Sequence, residues 1–228
     1  MSQNNPIDKT TEDLLINPAS GDSYFVFKNA GVNAYAIGVD DTDAQSLKFN
    51  RNGADPSSGT NHWKMTTAGI RTLPLQPCFF ATLASNDNNV TGAGGSYSLG
   101  NTTLGFTALT LIYDRGSNFN TVLGIFTAPV TGIYYFNTHI TASGITVANN
   151  SAGLVLNSPL YLANKFSNPG ATIGSSTQQT FFIEEVVYVS SGTTILVNFA
   201  INGGGADTVD ILGNAALSLS YFSGYLIE

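Results

Sequence analysis

The side chains from which chemistry could be built are few: two histidines, His62 and His139, one cysteine, Cys78, and fifteen Asp and Glu in a chain of 228 residues. Nucleophilic catalysis needs a Ser, a His and a carboxylate brought together, often on the strained strand-to-helix turn of a G-x-S-x-G sequence. That sequence is absent, and the two histidines fall in segments that read as different domains. Two His and one Cys also fall short of the four ligands of a structural zinc site. Asp40, Asp41 and Asp43 are spaced like the start of a calcium loop, but the Gly and the bidentate Glu that complete one are missing, so a solvated turn is expected. Glu184 and Glu185 are neighbours in a strand-like segment and must point to opposite faces, whereas paired glycosidase carboxylates face one cleft. The loop NGGGAD, Asn202 to Asp207, lacks the strand-to-helix setting of a phosphate cradle and reads as a flexible tip, the place where rigid β domains carry binding. His62 beside Trp63 offers a surface for sugar stacking, with packing as the plainer reading. No catalytic residue, metal or cofactor is expected.

Composition narrows the partners. Eight Lys and Arg against fifteen Asp and Glu give a net charge of −7, with no basic cluster, so nucleic acid is not expected. No run approaches the roughly 18 apolar residues of a membrane span, so no membrane insertion is expected. Cys78 has no partner for an internal disulfide. The start, MSQNNPIDKTTEDLL, has neither a positive charge cluster nor an apolar stretch of the secretory type, which suggests synthesis in a cytoplasm. Low charge with abundant Gly, Ser, Thr and Asn suits a protein that works outside a cell. Together these features point to a virion component, made in a host cytoplasm and acting extracellularly. Sequons at Asn89, Asn101 and Asn149 would matter only in a eukaryotic secretory pathway.

The elements that must position these residues are strands. SYFVFKN, AYAIGVD, SLKFN, ALTLIYD, GIFTAPV, GIYYFNTHIT, AGLVLN, LYLAN, QTFFIEEVVYV, TILVNFAI and ALSLSYFSGYLI are short, rich in β-branched and aromatic residues, and separated by Gly, Asn, Asp, Ser or Pro. Helical periodicity is nearly absent, so the chain reads as all-β, a sandwich or barrel. TTAGIRTLPLQP, with Gly69, Pro74 and Pro77, marks a boundary. Three segments follow: an attachment arm over 1–20 whose Leu14, Leu15 and Ile16 could dock on another virion protein, a small β-rich trimerisation or attachment domain over 21–73, and a sandwich domain over 74–228. The middle segment is too short for a comfortable core of its own.

Within LIYDRGSNFNTVLGIFTAPVTGIYYFNTHI, the spacing of Asp114, Phe119, Phe126, Gly132, Tyr134 and Phe136 resembles the signature of the complement 1q globular domain, in the tumour-necrosis-factor-like superfamily. The ending SYFSGYLIE is similar to that family's final strand, through Ser220, Phe222, Ser223, Gly224, Tyr225 and Leu226. Two positions depart from the pattern: Ala108 stands where the signature opens with Phe, and Thr138 where it has an aromatic residue. The resemblance implies a jelly-roll fold and a homotrimer. No collagen-like Gly repeat precedes the domain. QPCFFATLASNDNNVTGAGGSYSL looks like the opening of this domain in bacterial and bacteriophage proteins, and GDSYFVFKNAGVNAYAIGVDDTDAQSLKFN looks like the small β repeats of phage fibres.

Alternation supports a trimer from the residues themselves. In GIYYFNTHI it places Tyr134 and Phe136 on one face and Ile133 and Tyr135 on the other, and in the last strand it opposes Phe222 and Leu226 to Tyr221 and Tyr225. A sandwich core covers one face. Ile133, Tyr135, Tyr221 and Tyr225 are therefore candidates for a subunit interface, the alternative being amphipathic surface tyrosines. The function expected is a homotrimeric structural virion appendage (phage fibre, spike or head fibre) whose distal jelly roll recognises a host-surface glycan or protein, without enzymatic turnover. Two alternatives are a bacterial adhesin or lectin-like binding protein and a polysaccharide depolymerase, the latter lacking identifiable facing carboxylates.

Overall fold

The structure, a computed structural model, describes residues 21–158 and 162–228, so the expected attachment arm over 1–20 lies outside the described residues. The chain divides into two compact units, residues 1–75 and 76–228.

In the first unit five strands, β1 (Ser23–Asn29), β2 (Val32–Asp40), β3 (Ser46–Arg51), β4 (Thr60–Met65) and β5 (Arg71–Thr72), form one antiparallel meander in chain order. Ala30 and Gly31, both at positive φ, make the two-residue turn that joins β1 to β2. Residues opposite each other share a face. One face carries Phe25, Ile37, Phe49 and Trp63 in one row and Val39, Leu47 and Met65 in the next. The other carries Gly38, Lys48 and Lys64, then Ala36, Asn50 and Asn61.

The polar face is the more buried one; the turn Asp41–Asp43 is solvated as expected, with Asp41 exposed and Asp43 half-buried, but Asp40 is not. Asp40 is 2% and Lys48 6% exposed. The Asp40 carboxylate caps the turn Asp41–Asp43 by accepting from the Thr42 and Asp43 backbone N–H groups, and it accepts from Lys48 Nζ at 2.5 Å. Asp43 lies between Lys48 and Lys64, with N–O distances of 2.8 and 2.6 Å. Asn50 Nδ2 donates to the carbonyls of Asp55, Pro56 and Ser58, which folds the 52–59 loop over the sheet.

In the second unit the strands are β6 (Cys78–Leu83), β7 (Asp87–Thr91), β8 (Ser96–Ser98), β9 (Leu109–Arg115), β10 (Phe119–Asn120), β11 (Ile125–Thr127), β12 (Gly132–Ser143), β13 (Ser151–Asn157), β14 (Leu162–Ser167), β15 (Gln179–Val189), β16 (Thr194–Asn202), β17 (Val209–Ile211) and β18 (Tyr221–Leu226). One turn of helix, Pro169–Thr172, follows β14. A seven-stranded sheet runs β7-β17-β12-β18-β6-β9, with β15 on the other edge of β12. A six-stranded sheet runs β10-β11-β16-β13-β14, with β8 also on β16. The two enclose the core of a jelly-roll sandwich, with every second residue of the long strands directed inward. Phe79 is its centre: its ring lies 4.7 Å from that of Phe119, 4.8 Å from Phe126 and 4.9 Å from Phe222.

The final strand begins at Tyr221 rather than at Ala216, because residues 215–220 form turns and bends that bring the chain back to β12. β4, β5, β6, β7, β8, β10 and β17 had no counterpart among the expected strands; β5, β7, β8, β10 and β17 are only two to five residues long.

Candidate functional site

The signature residues lie where they shape the sandwich rather than where they could contact a ligand. Asp114, at the end of β9, accepts from the backbone N–H of Asn118 and of Phe119, closing the turn into β10. Phe119, Phe126, Tyr134, Phe136 and Phe222 are buried in the core. The Tyr134 hydroxyl donates to the Val130 carbonyl at 2.8 Å, which satisfies a phenol inside the sandwich. Gly224 has no room for a side chain, since a Cβ there would enter the rings of Phe136 and Phe79. Gly132 meets the Glu228 carbonyl in the same way. Thr138, standing at an aromatic position of the pattern, is buried and donates to the Tyr221 carbonyl at 2.8 Å, tying β12 to β18.

The opposite face of the seven-stranded sheet carries the other candidates. Register sets Val186, Tyr135, Tyr225 and Cys78 in one row, and Glu184, Asn137, Ser223, Phe80 and Tyr113 in the next. Phe182, His139 and Tyr221 make a third, while Ile133 stands beside Tyr188 at the end of β12. Tyr188 is 68%, Val186 59% and Tyr225 47% exposed, whereas Ile133, Tyr135 and Tyr221 are half-buried by these neighbours. The rings pack on one another: Tyr135 against Tyr225 at 5.2 Å, His139 stacked on Tyr221 at 4.6 Å, and Phe80 against Tyr221 at 5.1 Å. Lys165 Nζ sits 3.7 Å above the Phe182 ring.

Electrostatically this face prefers neutral groups. Partial burial raises the Tyr135 pKa, with Glu184 and Tyr225 adding to it, and raises that of Tyr221. Partial burial lowers the His139 pKa, against the opposing pull of Glu184. Sequence reading named four residues here and missed Phe80, Tyr113, Phe182, Val186 and Tyr188. The signal for the last three was available, because alternation through QTFFIEEVVYV sends Phe182, Glu184, Val186 and Tyr188 to one side. Glu184 is exposed and Glu185 half-buried, as adjacent residues of one strand.

A second cluster lies at the end of the sandwich where the two glycine-rich loops meet. The Gly92 and Gly94 N–H groups donate to the Ile201 carbonyl, at 3.0 and 2.9 Å, and Gly204 N–H donates back to the Gly92 carbonyl at 2.9 Å. The Asp207 carboxylate accepts from the Ala93 and Gly95 N–H groups. Asn149, 2% exposed, donates from Nδ2 to the Gly92 carbonyl and accepts from Thr146 through Oδ1. The NGGGAD loop is thus tied by hydrogen bonds at Asn202, Gly204 and Asp207, while residues 202–208 are exposed as expected of a tip. Among the described residues no group of three or more His, Cys, Asp or Glu is placed to hold a metal ion. No helix among them is long and apolar enough to cross a membrane. His62 lies in the first unit, edge-on to Tyr35 and Phe49.

None of the curated proteins matches this chain. Solved structures similar in fold include the globular domain of zebrafish complement 1qA protein, at 15% identity over 67% of this chain and 98% of that one, with a TM-score of 0.42. Murine APRIL at pH 8.5 is another, at 9% identity over 67% of this chain and 99% of its own, with a TM-score of 0.43. The sequence profile of the C1q domain matches residues 96–227, more than half of the chain and most of the second unit. Domains of this kind are trimeric and work in binding. By that match, and with its signature residues forming the core of a two-sheet jelly roll, the chain belongs to the C1q domain family.

Proposed function

We propose that the protein is a homotrimeric appendage subunit of a virion, of the bacteriophage type, whose C1q domain binds a host-surface ligand without chemical turnover. The observation that carries the trimer is the outward face of the seven-stranded sheet, where aromatic rings stack in rows yet remain up to 68% exposed in the single chain. A contiguous apolar face of this kind marks an interaction surface, and a trimer covers it with identical surfaces. The appendage reading is supported by the low charge, by the separate β-rich unit ahead of the C1q domain, by the resemblance of that unit's GDSYFVFKN stretch to small β repeats of phage fibres, and by that of the QPCFFATLAS stretch to the opening of this domain in bacterial and bacteriophage proteins. The exposed loop over residues 202–208, beside this bonded cluster, offers backbone and amide groups suited to a hydroxyl-rich ligand such as a glycan, and three copies raise avidity by roughly 10²–10⁴ over one.

Mass measurement in solution tests the assembly. The wild-type chain is expected at three times 23.9 kDa at micromolar concentration, and Tyr135→Asp at one, because a charge set among Tyr225, Val186 and Glu184 cannot be buried unpaired. A monomeric wild type overturns the reading. Incubating the trimer with host envelope polysaccharide, and assaying retention separately from new reducing ends, tests the role: retention without cleavage is expected, and steady oligosaccharide release makes it a depolymerase. Antibody labelling that leaves intact particles bare and marks bacterial envelopes instead would make it an adhesin.

A further inference from the structure

The first unit poses a question that the C1q domain does not answer. Its sheet has no second layer of strands among the residues described, yet one face is apolar throughout its centre: Phe25, Ile37, Phe49 and Trp63 form an unbroken row across four strands, flanked by Val39 and Leu47. Phe25 is 47% and Tyr35 37% exposed, and Tyr35 stacks on the half-buried Phe49 at 5.2 Å. The face carries no carboxylate, and its arginines stand at its margins, Arg51 at the end of β3 opposite Tyr35 and Arg71 on the edge strand β5 opposite Met65. A sheet with one such face is stable only when something apolar covers it.

We propose that this face is covered by the same face of two further copies of the chain, so that three sheets close into a three-walled β prism with the Asp40–Lys48 side outward. The inference rests on the trimer reading above. Only five residues, 73–77, separate β5 from β6, so three C1q domains in one assembly hold three of these sheets at an effective concentration in roughly the millimolar range. Pairwise sandwiching would leave the third sheet wet, whereas a three-walled closure covers all of them. A cationic partner finds no complement on a face without carboxylates, and with Arg51 and Arg71 at the margins the identical apolar centres meet without repulsion. The opposite face is already occupied by its own ion pairs and by the 52–59 loop.

Thiol cross-linking of the full chain tests this. In a Cys78→Ser background, Ile37→Cys and Val39→Cys each place one thiol on the apolar face, and Tyr24→Cys places one on the opposite side. Trp63 is the sole tryptophan and lies in the row at issue, so an emission maximum matching wild type certifies that a variant has folded. With a short bismaleimide, the Ile37→Cys or Val39→Cys protein, which has one thiol per chain, is expected as linked pairs with the third chain of each trimer left single, and the Tyr24→Cys protein as single chains throughout. A preparation that is trimeric by mass but unlinked at both 37 and 39, or linked equally at 24, overturns the prism and leaves the trimer standing. A monomeric mass fails the trimer reading itself. Linking at 37 that appears only once residues 1–20 are deleted assigns the face to that arm and overturns the proposal.

Discussion

The two units solve the same problem with opposite materials. The C1q unit hides a continuous apolar core, from Phe79 through Phe136 to Phe199, between two sheets. In the first unit Ala36 is the one fully buried apolar residue among those described, while Asp40, Ser46, Lys48 and Asn50 are buried beside it. Strand pairing is antiparallel in both, so the difference is the second layer. Where a layer exists, apolar burial at about 25 cal/mol per Å² drives folding. Where none is present among the described residues, ion pairs and side-chain-to-carbonyl bonds fix register and loop shape, and the proposed prism would supply the apolar cover from other copies. Buried ion pairs of this kind specify more than they stabilise, because desolvation offsets much of their attraction.

Truncating the centre of each unit sharpens that contrast. Phe79→Ala removes the ring on which Phe119, Phe126 and Phe222 pack and is expected to cost about 3–5 kcal/mol in denaturant melting of the C1q unit. Lys48→Met keeps the stem of the side chain but strands the Asp40 carboxylate; the expected loss is about 3 kcal/mol, confined to the first unit and read from Trp63 emission. Acid should do what Lys48→Met does. Burial acts to raise the Asp40 pKa, but hydrogen bonds from Lys48 and Thr42 outweigh it and hold the group below its usual value; Asp43 is held lower still by Lys48 and Lys64. A depressed carboxylate contributes stability above its unfolded pKa of about 4 and loses it as pH falls through the folded value. Trp63 emission should therefore change below about pH 4, ahead of the C1q unit. Equal loss in both units would erase the distinction.

The C1q unit was legible because its core residues are large, apolar and set at strand spacing around a signature whose glycines answer real collisions. The outward face was half legible: doubled aromatics in GIYYFNTHI and SYFSGYL exposed it, but β6 and β15 were not read for alternation, so Phe80 and Phe182 escaped. The Asp40–Lys48 pair was not legible at all. An acidic turn and a lysine several residues on are the common composition of solvated loops, and only the register of β2 on β3, which brings Lys48 opposite Gly38, puts the ammonium beneath the turn. The loop cluster was hidden for a related reason, since Asn149 and Gly92 are far apart in sequence and meet through a long-range bond.

A smaller effect is expected from Asn149→Ala, which leaves the Gly92 carbonyl and the Thr146 N–H without their side-chain partner at a buried position. The cost should be about 1–2 kcal/mol, with faster amide exchange at Gly204 and little change at β12. Uniform loosening of the sandwich would mean that Asn149 supports the core rather than the loops.

The smallest effect separates the two units by pH alone. Partial burial on the face between Tyr221 and Phe182 holds the His139 pKa below the ordinary value of about 6.5, and Glu184 only partly opposes it. A histidine with a depressed folded pKa binds fewer protons folded than unfolded in the window between the two values, so its contribution is complete above about pH 6.5 and falls as pH drops through the folded value. Because the ring is partly hydrated, the loss should stay below about 1 kcal/mol. Between pH 7 and 5 the C1q transition should move down by a small amount that His139→Phe abolishes. Over the same interval the first unit should hold still, since its carboxylates lose their contribution only near pH 4 and Lys48, whose raised pKa reflects Asp40 and Asp43 overcoming its burial, loses its own only on the alkaline side of about pH 10. A first unit that softens together with the second in this interval would show that a group other than His139 titrates there, and that the two units do not answer to pH through the separate chemistries assigned to them.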